Sequence, residues 1–245
     1  MKISKNEPIL KAPSSILFLI GLMVIVHIIL TKILPPELGF SLFLKMAFVP
    51  ADFSQGHKLW TLVSYAFLHA SWEHLLMNMA WLLAFGSAVA KRMGDAKIYL
   101  LFFLICCVIA TLVQFFFSQE SSIPIIGASG GVAAMLGAVA RFAFSGNILA
   151  SSNRRTRLLP LRKVFTNGTT LVFVLLCVVL NVLFGLISVS PGGASVSVAW
   201  QAHLGGFFAG LLLVGWFENP PLSPSGGPGN VDFGEWSGAR TDKNK

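Results

Sequence analysis

Long apolar runs alternate with short charged clusters along this chain, and the spacing of the clusters predicts membrane-spanning helices. A helix that crosses the hydrocarbon core needs about 20 predominantly apolar residues. Ser14 to Leu34 supplies the first such run, ending at Pro35-Pro36. The run His74 to Ala90 carries no formal charge. A charged turn between Lys91 and Lys97 follows, and then the uncharged run Ile98 to Phe117. Polar residues at Ser118 to Ser122, with Pro124, precede a fourth run from Gly127 to Phe144. Between Lys163 and Glu218 there is no Asp, Glu, Lys or Arg, and the stretch is too long for one crossing. Pro191-Gly192-Gly193, within Ser188 to Ser197, divides it in two. The expected fold is therefore an all-α membrane protein with six transmembrane helices.

Composition agrees with this class. Only 11% of the 245 residues are charged and 55% are hydrophobic, whereas soluble domains run near 25% charged. The net charge of +8 is parcelled into short loops, which is a topology signal and not a nucleic-acid footprint. With both termini in the cytoplasm, the inner side holds Lys2, Lys5, Lys11, Lys91, Arg92, Lys97, Arg141, the cluster Arg154 to Lys163 and Arg240, Lys243 and Lys245. Only Lys32, Lys45 and Lys58 fall outside. Residues 1–13 are then a cytoplasmic segment, 14–217 the membrane domain and 218–245 a disordered tail rich in Pro, Gly and Ser. The first run is read as a span and not a signal peptide, because no small-x-small cleavage site follows it. The external loop from Pro35 to about Ser71 is too apolar for a solvated linker, and is expected to lie in the interface or pack on the helices. Cys106, Cys107 and Cys177 sit in apolar runs, so they are expected as packed small hydrophobes without a disulfide framework.

Four polar residues interrupt the apolar runs at similar depth. With a rise of 1.5 Å per residue, Ser129 lies roughly 18 Å above Arg141, His203 roughly 22 Å above Glu218, and Asn78 roughly 20 Å above Lys91, with His74 one turn higher. Polar groups and irregular backbone at that depth are tolerated only around a protein-enclosed or watered cavity. Such a cavity would open to the outside, and the chain would enter the fourth helix by a short re-entrant dip through Ile126-Gly127-Ala128.

The residue types at that depth suit nucleophilic attack on a carbonyl. Gly127-Ala128-Ser129-Gly130-Gly131 matches the G-x-S-x-G nucleophile elbow, but that motif needs a strand before it and a soluble α/β sheet. The surroundings here are apolar helices. A serine at a helix N-terminus instead stands among unpaired first-turn N–H groups; the same pattern also fits a serine that merely caps a helix. His203, Gly206 and Gly210 form a face on which the last helix can press closely against a neighbour. If that neighbour carries Ser129, His203 can take the serine proton. His74 and Asn78 are one turn apart on one face and could flank the oxyanion together with the Ser129 N–H. A metal would need more histidine or carboxylate nearby, so neither a metal nor a cofactor is expected. Glu73 beside His74 points to another face, and no acid within the spans orients His203, so a Ser–His dyad is expected and not a triad.

Together these residues resemble the rhomboid family of intramembrane serine proteases over about residues 14 to 217. The resemblance rests on Gly127-Ala128-Ser129-Gly130 opening the fourth span, His74 to Asn78 in the second, and His203, Gly206 and Gly210 in the sixth. It implies Ser129 as nucleophile, His203 as base, and His74 and Asn78 as oxyanion partners. It implies hydrolysis of peptide bonds in or near transmembrane segments of other membrane proteins, in a bacterial plasma membrane. Phe67-Leu68-His69 also looks like the family's approach to the second span. One departure is visible: many members carry Trp-Arg in the first loop, where this chain has Trp60-Thr61, which opens the question of how that loop is anchored. The flexible loop 188–197 is the expected cap over the site. Two rival readings are a catalytically silent rhomboid-like protein that binds membrane helices, and a transporter, in which broken helices and polar groups at depth also occur.

Overall fold

The computed structural model describes residues 12–144, 158–187 and 199–218. The cap loop 188–197, Arg154, Arg155 and Arg157 and nearly all of the tail lie outside the described residues. Helix dominates, and among the described residues the only β pairing is an isolated antiparallel bridge between Phe48 and Ile125.

The elements follow the apolar runs. Helix α1 (Ser14–Ile28) continues into a π-helical turn, Ile29–Ile33. The first loop folds into α2 (Pro36–Met46), α3 (Pro50–Ser54) and α4 (Thr61–Ser64), the last extended by a 3₁₀ turn to Phe67. Helix α5 (Trp72–Trp81) passes through a second π-helical turn, Leu82–Gly86, into α6 (Ser87–Met93). Then come α7 (Ala96–Phe117), α8 (Ser129–Ala140), α9 (Leu161–Val164), α10 (Gly168–Ile187) and α11 (Trp200–Phe217). By length and composition alone, Ser14–Ile33 and Ala96–Phe117 suffice to cross a membrane.

Local chemistry sets the boundaries. Ser71 caps α5 by accepting the His74 N–H at 3.2 Å, the side-chain remedy for an orphan first-turn donor. Gly94, at φ +73°, ends α6 in the left-handed conformation, and Asp95 then caps α7 through the Lys97 and Ile98 N–H groups. Asn167 Oδ1 accepts from the Thr170 N–H at the start of α10.

Helix α8 forms the centre. Ten of its twelve residues are buried, and most of those are Gly, Ala or Val. Small side chains let neighbours close in on its axis. On one side Gly131 faces Phe103 and Cys107 of α7. On the other the backbones of α8 and α11 nearly touch. A β-carbon on Gly206 would stand 2.9 Å from the Gly130 carbonyl carbon, and one on Gly137 would stand 2.8 Å from that of Phe207. The outer surface is apolar too: Phe18, Phe116, Phe117, Val172 and Trp216 are all exposed, as lipid contact requires and water does not.

Charge gathers at the end of the bundle away from Ser129. Buried Arg92 and half-buried Glu218 form an ion pair. Arg141, also buried, donates from Nη1 to the Leu211 carbonyl at 2.9 Å and from Nε to the Leu159 carbonyl at 2.6 Å. The three cysteines are buried and free.

Candidate active site

The path into α8 is held from two sides. Phe48 and Ile125 exchange backbone hydrogen bonds of 3.1 and 2.7 Å, and the Gly127 N–H donates to the Tyr65 carbonyl at 3.0 Å. Gly127 adopts φ +108°, a conformation that L side chains rarely adopt. It also has no room for a side chain, since a β-carbon there would lie 2.8 Å from His74 Nε2 and 3.9 Å from Ser129 Oγ. The bare Cα of Gly127 thus lies between the imidazole of α5 and the hydroxyl of α8. The helix begins two residues later than the apolar run, because Gly127 makes the turn. No side chain caps its first turn, so first-turn N–H groups beside Ser129 stay available to an anion.

His203, in the first turn of α11, brings Nε2 to 2.7 Å from Ser129 Oγ. The glycine seam permits the approach. Gly206 stands one turn below His203 against Gly130, and Gly210 stands against Ala134, where a β-carbon would be 2.7 Å from the Ala134 Cα. Ser129, His203 and His74 are each half-buried, while Asn78 is buried. Asn78 Nδ2 donates to the carbonyl of His74 at 2.9 Å, so the amide braces the turn that carries His74. Gly130 is closely packed as well: a β-carbon there would be 2.7 Å from Ala110 Cβ and 3.3 Å from the Tyr65 hydroxyl. All eight residues singled out from the sequence therefore lie on three adjoining elements, the turns around Ser129, His74 and His203. Among the described residues, no group of three or more His, Cys, Asp or Glu side chains could hold a metal ion.

Several contributors escaped the motifs. Gln114 Oε1 accepts the Ala202 N–H at 3.2 Å and so ties the first turn of α11, beside His203, to α7. Its signal was present, as the one amide in an otherwise apolar run. Tyr65 donates to the Cys107 carbonyl at 2.9 Å and fixes the loop behind Gly127. The first loop is anchored without an arginine at position 61. Trp60 Nε1 donates to the Lys45 carbonyl at 3.0 Å, Ser64 Oγ to the Met46 carbonyl at 2.7 Å, and Thr61 Oγ1 to the Lys58 carbonyl at 2.6 Å. Lys58 pairs with Asp52 at 2.8 Å.

The rhomboid domain model matches residues 56–218. A protein named rhomboid protease GlpG from Serratia proteamaculans is 30% identical over 168 residues, covering 68% of this chain and 51% of that protein. Its namesake from Yersinia pestis is 27% identical over the same shares. The Klebsiella pneumoniae protein of that name is 36% identical over 91 residues, 37% of this chain and 31% of the relative. The matched region spans about half the length of the first two relatives.

Proposed function

This chain belongs to the rhomboid family of integral membrane proteins, and we propose that it is an intramembrane serine endopeptidase. The observation that carries the reading is the 2.7 Å approach of His203 Nε2 to Ser129 Oγ, made by two different helices. In this mechanism His203 accepts the hydroxyl proton as Ser129 Oγ attacks the scissile carbonyl carbon. The tetrahedral oxyanion is held by the Ser129 N–H, the His74 imidazole and Asn78. His203 then passes its proton to the leaving amine, an acyl-enzyme forms, and water, with its proton taken by His203, releases the acid. Two relatives named proteases and the match to the rhomboid domain support this assignment.

The substrate is a transmembrane segment of another membrane protein. A peptide bond in a regular helix has its carbonyl hydrogen-bonded, so the substrate must unwind locally, which helix-breaking residues ease. The basic-residue asymmetry supports six spans with both ends inside, which puts the dyad below the outer lipid surface, and the bacterial origin of the relatives supports a bacterial plasma membrane.

The test is cleavage of a model transmembrane substrate by the Ser129→Ala protein. The expected loss is on the order of 10⁶-fold in kcat. Labelling by a serine-directed fluorophosphonate should vanish in Ser129→Ala and collapse in His203→Ala. Cleavage retained by Ser129→Ala would reassign the nucleophile, whereas labelling without any cleavage would favour the silent helix-binding reading.

A further inference from the structure

Next to the dyad lies a histidine for which the mechanism has no task. His69, in the segment between the 3₁₀ turn and α5, is 3% exposed, and neither ring nitrogen has a hydrogen-bond partner. Buried polar groups are nearly always paired, and an exception calls for a reason. Its ring stands edge-to-face on His74, with centroids 5.1 Å apart and planes at 71°. A third imidazole, His27 of α1, is buried alongside, with its ring 4.7 Å from that of Trp72. A metal would explain three neighbouring imidazoles, but the described residues form no such ligand group. Burial first, and then the neighbouring His74 and His27, push His69 down to about 3. His69 is therefore neutral at working pH, with one N–H to give and one lone pair to receive.

We propose that His69 is a positioning residue for His74, holding by the polar edge of its ring the orientation in which His74 faces Gly127 and Ser129. Three features converge on this. His74 stands on the first turn of α5, where Ser71, Asn78 and the helix fix its backbone, so its ring needs a lateral support. Gly127 occupies the side of that ring toward Ser129, and His69 meets it edge-to-face. A neutral imidazole offers both a flat ring and a donor–acceptor pair, which a bound water can relay to a second imidazole. The inference rests on His74 acting at the oxyanion, as proposed above.

The test is a double-mutant cycle in the full chain, in proteoliposomes, with a model transmembrane substrate. His69→Phe keeps the ring and removes both nitrogens; His69→Gln keeps a donor and an acceptor. The expected result is a fall in kcat of about 10- to 100-fold for Phe with KM within about twofold, in keeping with the cost of displacing a catalytic group. Gln should recover at least part of that loss. In a His74→Ala background, His69→Phe should change kcat less than about twofold. Full activity of His69→Phe, or an equal loss in both backgrounds, overturns the proposal. If the Phe protein unfolds, the cycle is run with Gln, and equal losses with and without His74 overturn it in the same way. Either failure would leave cleavage by the unaltered protein dependent on Ser129, so it would be distinct from a failure of the protease reading.

Discussion

The substitution Gly206→Ala adds one methyl group where α11 meets α8. Its β-carbon would lie 2.9 Å from the Gly130 carbonyl carbon, with the carbonyl oxygen nearer still. Carbon atoms in good contact sit about 3.5–4.0 Å apart, so the helices must part by about 1 Å. The obstacle is main chain, and no rotamer change can relieve it. Gly130 directly follows Ser129 and Gly206 lies one turn below His203, so the separation passes almost undiminished to the 2.7 Å contact and stretches it beyond hydrogen-bonding range. A displacement of that size costs on the order of 10²-fold in rate, which is about 2.7 kcal/mol of transition-state stabilisation. Overpacking should also lower stability by about 1–3 kcal/mol. The assay is kcat on a model transmembrane substrate in proteoliposomes, at a temperature where thermal unfolding shows the variant folded. Gly21→Ala is the control, because nothing lies within 4 Å of the added atom. A Gly206→Ala protein that cleaves as fast as the control would refute the idea that backbone contact sets the dyad distance.

Other expected outcomes follow from single contacts. Gly127→Ala forces a β-carbon to 2.8 Å from His74 Nε2 at a positive φ. It should lower kcat by about 10²-fold or more through the misplaced oxyanion donor, and a normal kcat would contradict it. Arg92→Met removes the ion pair with the half-buried Glu218 and should cost about 1.5–3 kcal/mol, the range for a hydrogen bond to a charged group; an unchanged denaturation midpoint in mild detergent would show that the pair does not stabilise the bundle. Gln114→Leu strands the Ala202 N–H. It should cost about 1–3 kcal/mol and reduce kcat more than KM, because the stranded group lies next to His203; a rise in KM alone would argue against a role at that turn. Ser64→Ala removes the bond to the Met46 carbonyl, for an expected loss of about 1 kcal/mol with kcat nearly unchanged, read from unfolding and turnover measured side by side.

The residues of the candidate site were legible because a membrane makes polarity conspicuous. Ser129, His203, His74 and Asn78 stand out in apolar runs, and rise per residue alone put them at one depth. The small residues at 206 and 210 announced a close helix crossing, and α8 and α11 meet there. Less legible was anything that depends on partners distant in sequence. The first loop's helices are short and held by side chain to carbonyl bonds across 15 and 18 residues, which periodicity does not register. Gln114 and His69 belong to no spaced motif, and their meaning appears only when α11 and His74 are set beside them. The π-helical turns leave no mark in sequence, since Leu82 to Gly86 reads as an ordinary apolar stretch without proline.

That second turn has a consequence for how the site is phased. A π-helical turn accommodates one residue more than a regular helix would, so it offsets α5 from α6 by about 100° of azimuth. Deleting a single residue between Leu82 and Gly86 would restore even winding and swing His74 and Asn78 around the cylinder, while Ser129 and His203 stay together on helices untouched by the edit. The extra residue thus acts as a clocking device, setting the bearing of His74 and Asn78 independently of Ser129.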